Sequence, residues 1–321
     1  MIILGGVQSD GGVLADAWVG YTYQAGNSTL FSWSSIASPP HEGGVSSAAM
    51  AVYGDVIYVI GGRNGTGYRH PDLYTLRVSG VGPFTGVWSN IGTGNPDLGP
   101  NETYTSPPAR DGAGFARSGN GLYLFGGRGE SGEVMDDLWL YRPGSGWYNL
   151  SNGTAAHAPA RYGHAMIGVT HQTRYLRDKI YIFGGRGAGG EILGDTWEID
   201  VTPPPLEYDV NGTLIPPDDT PVWVWTDFTL IPLTASPRWG MGVELRIVEG
   251  KTPTQEMWMA GGFGNDTNAS TISPVLDLYE FDLNFTDSVC REGFYNQVSA
   301  PSPHPSTRLG ALRMHFNASR M

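Results

Sequence analysis

Three arginines stand at matching places in this chain of 321 residues. Arg63, Arg128 and Arg186 each follow a Gly-Gly doublet. Polar residues come close behind them: Tyr68 and Arg69 after the first, Glu130 and Glu133 after the second, Glu191 after the third. A guanidinium offers a planar fork of donors that fits a carboxylate with two parallel bonds. Three such forks brought together would hold an acidic peptide or a sugar acid, with Tyr68, Glu130 and Glu191 as neighbours. The competing assignment is local, each arginine steadying its own loop against nearby carboxylates. Other chemistry finds little support. The histidines, His41, His70, His157, His164, His171, His304 and His315, show no close spacing of the His-x-His kind that metal sites use. No catalytic residue, metal ligand or cofactor is assigned.

The elements that must position these arginines recur along the chain. A short hydrophobic run ends in the doublet at 5–6, 61–62, 126–127, 184–185 and 261–262, in steps of 56, 65, 58 and 77 residues. A recurrence of about 50 residues marks a solenoid, a propeller or an array. Three further signals accompany each doublet. Ahead of it stands Arg-x-Gly or a close variant: Arg110-Asp111-Gly112, Arg161-Tyr162-Gly163, Arg238-Trp239-Gly240 and Arg308-Leu309-Gly310. After it comes Asp before an aromatic residue: Asp16 and Trp18, Asp72 and Tyr74, Asp137 and Trp139, Asp195 and Trp197, Asp277 and Tyr279. Last is a tryptophan, Trp33, Trp88, Trp147 or Trp225, with Phe294 and Tyr295 standing in for it in the fifth unit. Each signal reads as one strand, short, rich in β-branched and aromatic residues and bounded by Gly, Pro, Asn and Asp. No stretch keeps a 3.6-residue period, so almost no helix is expected.

Four strands per unit, repeated, describe the blades of a β-propeller. The combination of Arg-x-Gly, hydrophobic-Gly-Gly, Asp-x-aromatic and a late tryptophan resembles the kelch repeat, over nearly the whole chain. The resemblance implies an all-β, kelch-type propeller of about five four-stranded blades. The loops opened by Arg63, Arg128 and Arg186 would then line one face around the central channel. The chain starts on a second strand and ends on a first strand, about 308–316, so the C-terminal strand is expected to join the N-terminal three and close the ring. Kelch propellers more often have six or seven blades. The alternative is therefore a piece of a longer protein. Expected blades are 1–36 with 308–316, 43–92, 111–150, 161–230 and 238–298, all in one domain, with a Pro- and Asp-rich loop inserted at 201–221. A charge that recurs in every blade serves every blade, so the repeated Arg110, Arg161, Arg238 and Arg308 and their aspartates are read as structural hydrogen-bonding pairs.

Charge narrows the partners. The formal net charge is −12, from 19 basic and 31 acidic residues. A phosphate-binding surface needs clustered Lys and Arg, so nucleic acid is excluded as an expected partner. No apolar run approaches the ~18 residues of a membrane span, and no signal peptide is visible, so an exported protein would have lost that signal or carry it outside this chain. Asn-x-Ser/Thr occurs at Asn27, Asn64, Asn101, Asn149, Asn152, Asn211, Asn265, Asn268, Asn284 and Asn317. About two such acceptor sites are expected by chance. The excess points to an extracellular or secretory-pathway glycoprotein, with a cytoplasmic adaptor as the alternative. Cys290 is the single cysteine and cannot close an intrachain disulfide. The resulting expectation is a non-enzymatic interaction module that presents loops to a protein or glycan partner. The alternative is a carbohydrate-active kelch enzyme of oxidase or mutarotase type.

Overall fold

The structure is a computed structural model. It describes residues 1–26, 28–92, 106–151, 157–170, 178–201, 237–248 and 254–265, with strands at 207–208, 214–215, 224–227, 272–274, 278–282, 295–298 and 312–314. Among these residues every regular element is a strand.

Four sheets are each built from a continuous stretch of chain. Blade 2 runs through Ala49–Tyr53, Val56–Ile60, Leu73–Ser79 and Thr85–Asn90. Blade 3 runs through Gly114–Ser118, Gly121–Gly129, Val134–Arg142 and Gly146–Asn149, with the short segment Arg110–Asp111 beside its second strand. Blade 4 repeats that plan with Arg161–Tyr162, Ala165–Val169, Lys179–Gly187, Ile192–Asp200 and Val224–Asp227. Blade 5 holds Gly242–Val248, Thr254–Ala260, Leu278–Asp282 and Tyr295–Val298. A further four-stranded sheet, blade 1, is composite. Leu312–Met314 pairs antiparallel with Ile2–Leu4, followed by Ala17–Ala25 and Ser28–Ile36. The innermost strands touch in a cycle: blade 2 on blade 3, 3 on 4, 4 on 5, 5 on 1, and 1 on 2. The sheets therefore form a closed ring, the all-β propeller expected from the repeat.

The hydrophobic runs are unbroken because both faces of each inner strand are covered. Side chains alternate between faces with period two. In blade 2, Ile57 and Val59 pack with Ile2, Val19 and Met50 in the seam with blade 1, while Tyr58 and Ile60 pack with Leu122, Leu124 and Trp147 in the seam with blade 3. In blade 3, Tyr123 and Phe125 turn the other way and meet Ile180, Ile182 and Met166 of blade 4. The core is thus a series of seams rather than one centre.

One expectation needs correction in detail. The hydrophobic runs imply a second strand that ends at the doublet, as it does in blades 1, 2 and 5. In blades 3 and 4 the strand runs through it, to Gly129 and Gly187, with a register shift between Phe125 and Gly127 and between Phe183 and Gly185. The physical reason is a bulge that needs positive φ. Gly126 and Gly127 have φ of 63° and 104°, and a Cβ on Gly126 would meet the Arg161 carbonyl oxygen of the next blade at 2.5 Å. The pairing resumes beyond the bulge, so Arg128 and Arg186 sit on strands rather than at the start of loops. Cys290, Asp277, Arg308 and most of the 201–221 insertion lie outside the described residues.

Candidate ligand-binding face at the rim of the ring

The Arg-x-Gly segments build one rim of the ring. In the three segments that lie among the described residues, the glycine has positive φ and its backbone reaches the preceding blade. Gly112 N–H donates to Ser47 O at 2.9 Å, Gly163 N–H to Gly112 O at 2.7 Å, and Gly240 N–H to Gly163 O at 2.6 Å. Ser47 takes the glycine position in blade 2 and has φ of 56°. The arginine of the segment turns into its own blade. Arg110 donates to both oxygens of Asp137 at 2.6 and 2.7 Å, to Gly126 O and to Pro108 O. Arg161 does the same with Asp195, Gly184 O and Pro159 O. Trp139 and Trp197 donate their indole N–H to the same aspartates. These repeated charges are structural pairs, as their repetition implied. In blade 2 the arginine is replaced by Val45, whose carbonyl accepts from Gly6 N–H as that of Arg110 accepts from Gly62 N–H. Asp72 then takes its bonds from Tyr74 and Asn90.

The middle residue of each segment differs from blade to blade: Ser46, Asp111, Tyr162 and Trp239. Each pairs across the backbone with the residue after a doublet, giving Ser46 with Arg63, Asp111 with Arg128, Tyr162 with Arg186 and Trp239 with Phe263. The side chains then reach forward to the following blade. Arg63 Nε lies 3.5 Å from Asp111. The Arg128 guanidinium lies over the Tyr162 ring at 4.8 Å, and that of Arg186 over the Trp239 ring at 5.9 Å. The three arginines therefore occupy equivalent places around one rim.

Asp111 gathers most of the charge. It is only 3% exposed, yet receives Arg69 Nε at 2.8 Å, Arg128 Nη2 at 3.0 Å and the weaker approach of Arg63. Burial alone would raise its carboxyl, but the hydrogen bonds from Arg128 and Arg69 outweigh that and hold it below the ordinary carboxylate range. The same bond to Asp111 pushes the Arg128 guanidinium up. Arg63 keeps 42% of its side chain exposed and Arg128 keeps 26%. Three guanidinium groups thus surround one buried carboxylate, and the edges of Arg63 and Arg128 stay open to solvent.

The remaining expected residues divide. Tyr68 shares the small loop of Arg63, is half exposed, and packs edge-on against His70 at 5.3 Å. Glu130 joins the cluster through Arg69, whose backbone N–H reaches its carboxylate at 3.4 Å. Glu191 is exposed on the hairpin of Arg186 and is not brought to the others; Arg186 donates its Nε–H to Gly190 O instead. Asp111, Tyr162 and Trp239 were not singled out from the sequence. Their signal was present as the variable position inside an otherwise constant Arg-x-Gly.

Two of the predicted acceptor asparagines have local work to do. Asn64 Oδ1 accepts from Thr66 N–H, the Thr66 hydroxyl and Tyr68 N–H, and its Nδ2 donates to Glu42 O. Asn149 is exposed and its Oδ1 accepts from Ser151 N–H. Asn265 lies on the strand Phe263–Asn265. Asn27, Asn101, Asn152, Asn211, Asn268, Asn284 and Asn317 lie outside the described residues.

No protein-family model matches the chain. Among curated proteins it is similar to an F-box/kelch-repeat protein of Arabidopsis thaliana, with 23% identity over 210 residues, 64% of this chain and 40% of the relative. The chain is an all-β propeller whose repeats are similar to those of kelch-repeat proteins. Host cell factor 1 of Homo sapiens is 30% identical over 168 residues, 47% of this chain and 8% of its own length. The flagellar outer-arm dynein alpha chain of Chlamydomonas reinhardtii is 30% identical over 108 residues, 29% and 2% of the two chains. The chain thus spans less than half the length of these relatives.

Proposed function

We propose that the chain is a non-enzymatic interaction module that binds an acidic segment of a partner protein at the Arg63–Arg128–Arg186 rim. The observation that carries this is the convergence of Arg63, Arg69 and Arg128 on the single buried Asp111. The carboxylate fixes the guanidinium forks in place, while their exposed edges remain for a ligand. Pre-ordered donors lose little entropy on binding. Titration with a Glu-rich peptide tests the reading. Binding that weakens about tenfold on Arg63→Ala, and falls steeply with added salt, is expected. Equal binding of a Lys-rich peptide would sink it.

The Tyr162 and Trp239 rings beside Arg128 and Arg186 favour a second ligand for the same rim, a sugar acid whose ring stacks while its carboxylate meets arginine. Sequon density supports a secretory-pathway location, and the cytoplasmic alternative predicts bare asparagines. Mass spectrometry of the native protein separates the two. The Asx-type turns at Asn64 and Asn149 supply a structural reason for those two residues in either compartment.

A further inference from the structure

Blade 1 ends in an unusually long outer ribbon. Its strands Ala17–Ala25 and Ser28–Ile36 pair in unbroken register, from Ala17 opposite Ile36 to Ala25 opposite Ser28. The outermost strands of the other blades are shorter, at Thr85–Asn90, Gly146–Asn149, Val224–Asp227 and Tyr295–Val298. An outermost strand carries one row of backbone N–H and C=O groups with no strand beside it. Proteins guard such edges with charges, proline, bulges or brevity. Ser28–Ile36 has none of these. It runs for nine residues without proline or register shift, and no charged residue occurs anywhere from Ala17 to Pro40.

The ribbon also exposes apolar surface on both faces. Tyr23 and Leu30 stand opposite each other on one face. Phe31 and Trp33 stand on the other, packed edge-to-face at 5.2 Å. Gly20 opens the space they fill, since a Cβ there would meet the Phe31 ring at 2.6 Å. All four side chains are between 40% and 51% exposed. Side chains of this size bury about 150–250 Å² each, so the free surface is roughly 350 Å². A stable interface between folded proteins covers about 800 Å² per partner. The area suits a single extended segment rather than a second propeller.

We propose that Ser28–Ile36 is a docking edge that takes one extended, uncharged segment of a partner protein by strand addition. The segment's backbone pairs with the open row, and its alternate side chains flank Phe31 and Trp33 on one face and Leu30 on the other. A charge inside the pairing stretch would lose its water beside a ribbon that offers no counter-charge.

The test uses the full chain and two nine-residue peptides, one alternating Thr and Val, the other carrying Lys at its two central positions. The Thr/Val peptide should slow amide hydrogen exchange across residues 28–36 by about tenfold or more at saturation, and the Lys peptide should not. Phe31→Lys with Trp33→Lys should weaken that binding about tenfold. Thr29→Lys with Ser35→Lys charges the edge without removing either ring, and should do the same with the melting temperature unchanged. Arg63→Ala, on the rim, should leave strand addition intact, which keeps this surface separate from the proposed acidic-peptide site. No protection by either peptide at millimolar concentration overturns the proposal, as does equal protection by both. Protection that grows with protein concentration alone would identify a second copy as the occupant, and so overturns the partner assignment.

Discussion

Arg161→Met should cost this propeller far more than an ordinary charge removal. The Arg161 side chain is 0% exposed and makes four hydrogen bonds, two to Asp195 at 2.6 Å each and one each to Pro159 O and Gly184 O. Met fills similar volume, so the loss is mainly electrostatic. It strands the Asp195 carboxylate, 15% exposed, and leaves two carbonyl groups without their donor. Breaking a buried pair from one side costs about 3–5 kcal/mol. At about 2 °C per kcal/mol for a domain of this size, the melting temperature should fall by roughly 6–10 °C. The pair itself is a different matter, because two desolvated charges nearly offset their own attraction. Asp195→Asn added to Arg161→Met should therefore recover about half the loss or more. Blade 2 is an internal precedent, with Val45 in the arginine position and Asp72 bonded to Tyr74 and Asn90. Calorimetry on the two single variants and the double variant decides. A single-variant loss below about 1 kcal/mol, or a double variant worse than Arg161→Met alone, would refute the stranded-charge argument.

Three further outcomes are expected. Gly168→Ala should open the seam between blades 3 and 4, because its Cβ would overlap the Arg117 carbonyl oxygen; a melting temperature within a degree of the parent would contradict the seam packing. Acid should destabilise the protein through its buried histidines. Burial, and then His70, push His41 down to about 3, and burial, and then Arg161, do the same to His164. A depressed histidine is neutral when folded but titrates normally when unfolded. The stability is whole above the unfolded pKa near 6.5 and is lost as pH falls from there toward 3. Each histidine contributes a slope of about 1.4 kcal/mol per pH unit in that window. Replacing His164 with Phe, which packs beside Phe125, should flatten the profile of stability against pH below 6, and an unchanged slope would show that His164 does not titrate there. Arg63→Ala should leave thermal stability within about 0.5 kcal/mol, since its contact with Asp111 is long and exposed, whereas Arg69→Ala, nearly buried on the same carboxylate, should cost several times more. Denaturant curves that rank the two alike would count against the cluster as described.

Much of this architecture was legible because it repeats. Ile57 to Ile60, Leu122 to Phe125 and Ile180 to Phe183 spell strands covered on both faces, and the doublets after them mark where a Cβ would strike the next blade. Arg110 and Arg161 could be assigned to structural pairs from recurrence alone. The sequence did not reveal that in blades 3 and 4 the second strand continues through the doublet, because a bulge needs only glycine and leaves no other mark. It also did not reveal Asp111. An aspartate in the middle of Arg-x-Gly reads as spacing until Arg63, Arg69 and Arg128 are seen to arrive from two blades. Asn64 carries a further role the sequence did not show, because its side chain organises the loop that holds Arg63 and Tyr68.

The division between constant and variable positions is what supports the proposed binding rim. The arginine and glycine of Arg-x-Gly do the same work in blades 3 and 4: the arginine binds its blade's aspartate, and the glycine hands a backbone bond to its neighbour. The residue between them changes from serine to aspartate, tyrosine and tryptophan, and the residue after the doublet from valine to three arginines and phenylalanine. Both variable positions point to the same rim, where they meet across blade boundaries as Arg63 on Asp111, Arg128 on Tyr162 and Arg186 on Trp239. Packing alone gives no reason for the rim to run from charged at blades 2 and 3 to aromatic at blades 4 and 5. The proposed ligand, with an anionic end and a flat or apolar end, would account for it. Reversing the charge at the exposed end of that gradient while sparing the frame, by exchanging Arg63 for Glu, should keep the ring folded and abolish binding of the acidic peptide. If the exchanged protein bound as well as the parent, the rim would be a structural seam and the recognition surface would lie elsewhere.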